Sequence, residues 1–276
     1  MQFTKWHGLG NDFVIVNGME ENIADYREQA IAVCDRNFGI GADGLVILLP
    51  SDIADFKMRI FNSDGSEADM CGNATRCVAR YLYENGITKK TVVTLDTLAG
   101  IITPELIFKN NTLETVRVDM GVPRLLRQEI PIVGNPNEQV VNMPLEVDGA
   151  TYYITCVSMG NPHCLMFVED ITKVDLGKIG PQIETHALFP KKTNVEFIQI
   201  LDRQTIRMRV WERGAGITKA CGTGASASLV ASVLNNHTDR QATVKLDGGD
   251  LFLEWAENDH IFMSGPAVEV FRGKYL

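Results

Sequence analysis

Two Cys-Gly pairs are the residues of this 276-residue sequence best suited to chemistry. Cys71-Gly72 and Cys221-Gly222 each open a stretch of small residues that becomes compatible with a helix just after the glycine. At a helix N-terminus, unpaired N–H groups and the helix dipole favour a thiolate. The dipole contributes at most ~2 kcal/mol, so a thiolate becomes accessible near neutral pH without both sulfurs being anions. One thiolate and one thiol are what is needed to invert a carbon centre.

The two pairs share one register of an internal repeat. Sliding the chain against itself by about 150 residues aligns three unusual features. They are Gly10-Asn11 with Gly160-Asn161, Phe61-Asn62 with Trp211-Glu212, and Cys71-Gly72 with Cys221-Gly222. Of the six cysteines, only Cys71 and Cys221 are aligned by the repeat. Because a duplicated fold can present equivalent residues on either side of a cleft, we expect these two thiols to face each other.

Each half of the repeat has the pattern of a strand-rich domain with two helices. The apolar periodicity predicts helices at 23–36 and 176–186, and a helix after each Cys-Gly pair. It predicts strands at 13–16, 45–49, 56–61, 91–95, 101–106 and 113–118, and at 164–168, 195–200, 205–211, 242–246, 251–255 and 260–263. A last strand at 267–275 has no counterpart and could return to the first half. We therefore predict one domain of residues 1–119 plus 264–276 and a second of residues 120–263.

Composition and charge exclude several classes of function. The net charge of −9, with scattered Lys and Arg, argues against nucleic-acid binding. Six cysteines without a CxxC pair argue against a disulfide scaffold and a zinc site. The sequence has no targeting signal and no apolar run of the ~18 residues that span a bilayer, so we predict a cytoplasmic protein without membrane contact. The GxGxxG at 39–44 precedes a predicted strand rather than a helix, so we interpret it as a loop and not as a dinucleotide site.

Five segments resemble the diaminopimelate epimerase family. They are GLGNDF at 8–13, NSDGSEADMCGN at 62–73, MGNPH at 159–163, WERGAG at 211–216 and ACGTG at 220–224. The resemblance covers essentially the whole chain in order. It implies an α/β (α+β) fold of two pseudo-symmetric domains, each a mainly antiparallel sheet or barrel around a central helix, with the active site in the cleft between them. It also implies interconversion of LL- and meso-diaminopimelate without pyridoxal phosphate, metal or nicotinamide, by a homodimer.

The resemblance also implies roles for individual residues. Cys71 and Cys221 correspond to the proton donor and acceptor, and His163 and Glu212 to residues that tune the two thiols. The substrate, a small diamino diacid, would contact Asn11, Asn62, Gly72, Asn73, Asn161, Asn194, Glu212, Arg213, Gly222 and Thr223. These residue types suit a diamino diacid. Arginine binds a carboxylate bidentately, glutamate pairs with an ammonium group, and asparagines bind a zwitterion without adding charge.

Two residues depart from the family pattern, and several alternative functions remain open. Gly44 stands where many relatives carry a side chain that reaches the substrate, and Ala74 where the family usually has glycine. Proline racemase-like enzymes usually carry histidine where this chain has Asn73, whereas racemisation of histidine or lanthionine stays open. A thiol redox protein and a two-lobed amino-acid binding protein are the alternatives from other classes. Exchange of the substrate α-proton separates both from an epimerase.

Overall fold

The computed structural model describes residues 1–276, which divide into two compact units. Unit 1 contains Met1–Asp119 and Ser264–Leu276, and unit 2 contains Met120–Met263. Both units are α+β, and their sheets are open, so the predicted fold class is confirmed with sheets rather than closed barrels. No helix is long and apolar enough to cross a membrane.

The chain forms four α-helices and nineteen strands. The helices are α1 Tyr26–Cys34, α2 Gly72–Glu84, α3 Leu176–Glu184 and α4 Gly222–Leu234. The strands are β1 Gln2–Gly8, β2 Asn11–Asn17, β3 Gly44–Leu49, β4 Phe56–Asn62, β5 Glu67–Ala68, β6 Leu95–Thr97, β7 Gly100–Ile102, β8 Glu105–Lys109, β9 Thr112–Asp119, β10 Met143–Val147, β11 Ala150–Ser158, β12 Pro162–Phe167, β13 Asn194–Asp202, β14 Thr205–Glu212, β15 Gly216–Thr218, β16 Gln241–Leu246, β17 Gly249–Trp255, β18 Ile261–Gly265 and β19 Val268–Lys274.

The main sheet of unit 1 is covered by a helix on each face. Its strand order is β19-β1-β2-β3-β4-β6-β7, with β5 on β4, and only β2–β3 and β4–β6 are parallel. Val46 and Leu48 of β3 pack with α2, whereas Leu45 and Ile47 pack with α1. Successive side chains of a strand point to opposite faces. Burial on both faces therefore explains the uninterrupted apolar run of β3.

Unit 2 repeats this arrangement. Its strands follow the order β10-β11-β12-β13-β14-β16-β17-β18, with β15 on β14 and parallel pairs at β12–β13 and β14–β16. Helix α4 is buried along most of its length and is rich in Ala and Ser. Ser226, Ser228 and Ser232 each donate to the carbonyl four residues earlier, which satisfies their hydroxyls inside the core.

The strand registers of the two units match at the offset found in the sequence. The parallel partners Phe13 and Gly44 of unit 1 correspond to His163 and Asn194 of unit 2. The antiparallel partners Phe61 and Glu67 correspond in the same way to Trp211 and Ile217. Matching registers in equivalent strands support a duplication.

The element boundaries differ from the sequence prediction in a few places. Helix α1 begins only at Tyr26, because Asp25 caps it by accepting from two backbone N–H groups. The strand predicted at 101–106 is divided into β7 and β8, with Pro104 between them. The C-terminal strand returns to the first half, where β19 pairs antiparallel with β1. Strands β1, β5, β10, β11 and β15 were not predicted, and the strand predicted at 91–95 overlaps β6 only at Leu95.

Candidate active site

Cys71 lies at the N-terminus of α2 in unit 1. It is the N-cap residue of that helix, with extended backbone at φ −144° and ψ 115°. Its Sγ donates to Asn11 Oδ1 at 3.7 Å, and Asn73 Nδ2 donates to the same oxygen at 3.0 Å. The helix start therefore brings three of the predicted site residues together around one amide oxygen.

The orientation of the Asn11 amide is set by a cluster that the sequence analysis missed. Asn11 Nδ2 donates to Asp43 Oδ2 at 2.8 Å, and Arg36 bridges Asp43 and Asp12 at 2.8 Å each. Lys5 Nζ lies 2.6 Å from Asp12 Oδ2. Burial alone would raise the pKa of Asp12, but hydrogen bonds from Arg36 and Lys5 outweigh it and lower that pKa to about 2. A carboxylate at Asp43 only accepts, so the carbonyl oxygen of Asn11 is left to face Cys71.

Arg76 fixes the other end of the Asn73 amide. This arginine is fully buried in α2, and its Nη2 donates to Asn73 Oδ1 at 2.8 Å. Its Nη1 also reaches Gly72 O at 3.4 Å. Asn62 is separate from this group: it lies exposed at the end of β4, and its Nδ2 donates to Ser66 Oγ at 2.9 Å.

Cys221 occupies the equivalent place at the N-terminus of α4 in unit 2. It too is an N-cap residue, with φ −130° and ψ 111°, and it is buried. The Gly224 N–H donates to Sγ at 3.3 Å, and Thr223 Oγ1 lies 3.5 Å from it. Burial and the nearby carboxylates of Glu212 and Glu196 raise the pKa of Cys221 well above its usual value, although Thr223 and Gly224 oppose the shift.

Glu212 interacts directly with Cys221. Burial raises the pKa of the Glu212 carboxyl, while hydrogen bonds with Thr218 and with the Cys221 thiol oppose that shift. Thr218 Oγ1 donates to Glu212 Oε1. Unit 2 therefore places a half-buried carboxyl group close enough to a buried thiol to interact with it.

His163 lies between two oxygen atoms in the core of unit 2. Its Nδ1 is 2.6 Å from Glu196 Oε1, and its Nε2 is 3.1 Å from Asn161 Oδ1. Asn161 Nδ2 donates in turn to Thr223 Oγ1 at 3.3 Å. A hydrogen-bonded chain thus connects Glu196 through His163, Asn161 and Thr223 to Cys221.

Asn194 and Arg213 are joined through the backbone. Asn194 Oδ1 accepts from the Arg213 N–H at 2.9 Å, and Asn194 Nδ2 donates to Pro162 O at 2.7 Å. The side chain of Arg213 is exposed and reaches Lys191 O at 3.1 Å. Glu184, at the end of α3, accepts from Gly214 N at 3.3 Å and from the indole of Trp211 at 2.7 Å, on either side of Glu212 and Arg213.

The two departures from the family pattern have clear structural settings. A Cβ atom at Gly44 would lie 2.9 Å from Phe61 O and 3.4 Å from the Phe13 ring, so the backbone of the neighbouring strand β4 leaves no room for one. Ala74 is fully buried within α2 and fits an ordinary helical position. No group of three or more His, Cys, Asp or Glu side chains is arranged to hold a metal ion.

The sequence analysis did not single out Asp43, Glu184 and Glu196, which contact the predicted site residues or their backbone. Glu196 gave the clearest available signal, since it is the one charged residue among the five buried residues at the beginning of β13. Asp43 was hidden in a glycine-rich loop that resembled a nucleotide-binding motif.

The chain is similar to proteins of known family over its whole length. The sequence model described as diaminopimelate epimerase matches residues 3–126 and 155–270. A diaminopimelate epimerase from Pelotomaculum thermopropionicum is 58% identical, with 100% of this chain and 99% of that one covered. Relatives with the same name are 55% identical in Acetivibrio thermocellus (99% and 98% covered) and 53% identical in Methanococcus maripaludis (99% of each).

Solved structures with lower sequence identity share the fold. A PhzF-family phenazine biosynthesis protein from Bacillus anthracis has a TM-score of 0.72 at 18% identity, with 100% of this chain and 99% of that one covered. A probable proline racemase from Agrobacterium radiobacter has a TM-score of 0.68 at 17% identity, with 100% and 92% covered. At these identities the similarity concerns the fold alone.

Proposed function

Because this chain belongs to the diaminopimelate epimerase family, we propose that it interconverts LL- and meso-diaminopimelate by inverting one α-carbon. The chain is an isomerase of the epimerase class. The matched setting of Cys71 and Cys221, each the N-cap of a 13-residue helix with extended backbone, is the observation that carries the mechanism. The reaction supplies the meso isomer for lysine and peptidoglycan precursor synthesis.

In the proposed reaction, the two sulfurs act on opposite faces of the same carbon. A thiolate removes the α-proton, and the other cysteine donates its thiol proton to the opposite face of the carbanion, so that thiol and thiolate exchange places. The reverse reaction uses the same groups in exchanged roles.

The remaining predicted residues would bind the substrate and adjust the thiols. Helix-end amides at Gly72-Asn73 and Gly222-Thr223 suit the α-carboxylate of the reacting centre, because helix N-termini favour anions. Arg213 and Glu212 carry charges complementary to a carboxylate and an ammonium. We further propose that His163 and Glu212 tune the two thiols, and that Asn11, Asn62, Asn161 and Asn194 contribute substrate hydrogen bonds.

Isotope incorporation tests the two-base mechanism. Starting from pure LL-diaminopimelate in D2O, early meso product is expected to be almost fully deuterated at the inverted carbon, because the donating thiol has exchanged with solvent. Recovered substrate is at first much less labelled. Mass spectrometry on both isomers at low conversion measures this, and substantial transfer of the original proton into product contradicts two bases.

Cysteine variants accompany the isotope test. Cys71→Ala and Cys221→Ala are each expected to abolish inversion while the protein remains folded. Cys34→Ala is the matched control, because Cys34 is a buried thiol whose pKa is raised to about 12, by burial first of all. Near wild-type inversion by either of the first two variants rules out a reaction that needs both sulfurs.

The epimerisation assay also identifies which of several related amino acids is the substrate. Histidine and lanthionine are tested beside diaminopimelate, and faster inversion of either contradicts the substrate assignment while leaving the two-thiol mechanism in place. No α-proton exchange on any amino acid would favour a binding protein instead. We also propose a cytoplasmic homodimer, on the family resemblance; light scattering of the purified protein tests the dimer.

A further inference from the structure

Glu196 and His163 form a pair that is completely closed off from solvent. Both side chains have 0% exposure, and 2.6 Å separates Glu196 Oε1 from His163 Nδ1. Glu196 belongs to β13, and His163 to the neighbouring parallel strand β12. Breaking a buried pair by removing one partner costs several kcal/mol, so the two groups depend on each other inside the core.

The hydrogen-bond partners determine how many protons the imidazole holds. Asn161 Nδ2 donates to Thr223, so Asn161 Oδ1 faces His163 and can only accept. His163 Nε2 therefore carries a hydrogen. The contact between Nδ1 and Glu196 Oε1 then requires one more proton, shared between a nitrogen and a carboxylate oxygen, and the pair as a whole is neutral in either arrangement.

We propose that Glu196 is a positioning residue of the reaction: its carboxyl group shares one additional proton with Nδ1 of His163, so that Nε2 keeps its own hydrogen and donates it to Asn161. Asn161 is thereby fixed with its NH2 group towards Thr223, which lies beside Cys221. Glu196 acts through His163 and needs no contact with the substrate. This role rests on the epimerase reaction proposed above.

The surroundings of Glu196 support this role. A Cβ atom at Gly224 would lie 2.7 Å from Glu196 Oε1 and 3.2 Å from Cys221 Sγ, so one missing side chain makes room for both groups. Glu196 Oε2 is buried without a hydrogen-bond partner. An unsatisfied buried carboxylate oxygen destabilises a fold, so packing alone does not account for a glutamate here.

Other titratable groups face the pair from three elements. Cys164 of β12, Glu212 of β14 and Cys221 at the start of α4 each interact electrostatically with Glu196. Burial raises the pKa of the Glu196 carboxyl, while the charge of His163 opposes the shift. The proton shared by Glu196 and His163 is thus held within a group of acidic side chains and thiols.

Ring-nitrogen NMR of the wild-type protein tests the proton count without any activity measurement. In protein labelled with 15N-histidine, His163 is expected to carry a hydrogen on Nε2 across neutral pH, with a second, strongly deshielded proton in the hydrogen bond between Nδ1 and Glu196. In Glu196→Gln, one ring nitrogen is expected to move to the resonance range of an unprotonated imidazole nitrogen. The absence of any proton between Nδ1 and Glu196 in the wild-type protein, or no change in the variant, overturns the proposal.

A double-mutant cycle tests whether Glu196 acts through His163. Glu196→Gln is expected to lower kcat by about tenfold or more with little change in KM, as loss of a positioned acid–base environment does. In a His163→Gln background the same change should cost less than about twofold, because the group it positions is gone. Glu257→Gln, at an exposed carboxylate, is the matched control.

Two outcomes of the cycle count against Glu196 as a positioning residue. One is an unchanged kcat in Glu196→Gln, and the other is losses that multiply in the double variant. If Glu196→Gln does not fold, the wild-type NMR measurement still decides the proton count. An inactive wild-type protein with the expected NMR signature would instead contradict the proposed function and leave the pair intact.

Discussion

Gly224 is a position where the candidate site has no room for a Cβ atom. It lies in the first turn of α4, where a Cβ atom would meet both Glu196 Oε1 and Cys221 Sγ. Neither neighbour can retreat easily, since both are buried. The packing of these two buried side chains therefore requires a glycine at this position.

Replacing Gly224 by alanine is therefore expected to damage the site. We predict a kcat loss of about tenfold or more in Gly224→Ala, together with ~1–3 kcal/mol of destabilisation from overpacking. Gly177→Ala is the matched control in the first turn of α3, because its Cβ would make only an ordinary contact at 3.7 Å. Epimerase kinetics and urea unfolding measure both effects. Wild-type kinetics in Gly224→Ala would show that the space at α4 is not needed.

Asp12 links the stability of unit 1 to pH. Its pKa is about 2 in the folded protein against an ordinary value of 3.8, so its contribution is fully present above about pH 4 and is lost as pH falls towards 2. Asp12→Asn is expected to lower the free energy of unfolding by about 2 to 3 kcal/mol at neutral pH, because Lys5 loses a buried partner. The difference in free energy of unfolding between the wild type and Asp12→Asn should decrease as pH falls towards 3.

Urea titrations at several pH values measure this difference in free energy of unfolding. Hydrogen exchange of the β1 and β2 amides shows whether the stability is lost in unit 1. Asp52→Asn is the control, since Asp52 is exposed and makes no ion pair in the structure. If the difference in free energy of unfolding stays constant between neutral pH and pH 3, titration of Asp12 is not the cause of the pH dependence.

Local sequence identified the two cysteines because a helix N-terminus is a local feature. The small residues after Cys71 and Cys221, together with the repeat, were enough to predict both. Glu196 could not be found in this way. Its importance depends on the parallel pairing of β12 with β13, which brings it to His163 from thirty-three residues away.

At the scale of elements, the end of α3 holds the segment that carries Glu212 and Arg213. Glu184 accepts from Trp211 Nε1 and Gly214 N, and lies 3.5 Å from Lys192 Nζ. Its side chain is only 7% exposed. Helix α3 therefore contributes to the site through one carboxylate at its last residue.

Weakening this attachment is expected to affect substrate binding more than the proton transfer. Glu184→Gln leaves one acceptor oxygen for two donors, so one hydrogen bond is lost. We therefore predict a rise in KM of about threefold to tenfold, while kcat changes by less than about twofold. Lys178→Ala, an exposed change in the same helix, is the control. A fall in kcat at constant KM would place Glu184 in the chemical step instead.

The elements that were predicted well are those buried on both faces. Strands β2 and β3 have continuous apolar runs and were recognised, although β2 begins two residues earlier than predicted. Strand β1 was missed because Thr4, Lys5 and His7 interrupt its apolar residues. Two of those polar residues are buried in the fold, where Thr4 Oγ1 accepts from Trp6 Nε1 and Lys5 pairs with Asp12.

At the scale of the whole molecule, the duplication is clearer in strand register than in residue identity. Gly44 and Asn194 occupy equivalent register positions, yet one has no side chain and the other holds the Arg213 backbone. The two units thus keep the same hydrogen-bonding frame while their site residues differ. Sequence comparison alone found only three matches, because register is preserved by pairing and not by particular side chains.

The position of β19 also fixes the order in which the chain can complete itself during synthesis. Unit 1 begins with β1 at Gln2–Gly8 but needs β19 at Val268–Lys274 as its outer strand, and the Met1 ammonium donates to Tyr275 O at 2.9 Å. All of unit 2 leaves the ribosome before these partners do. At about 5–20 residues per second, β1 waits many seconds with an open edge. The half of the protein that is made first is therefore the last to be finished.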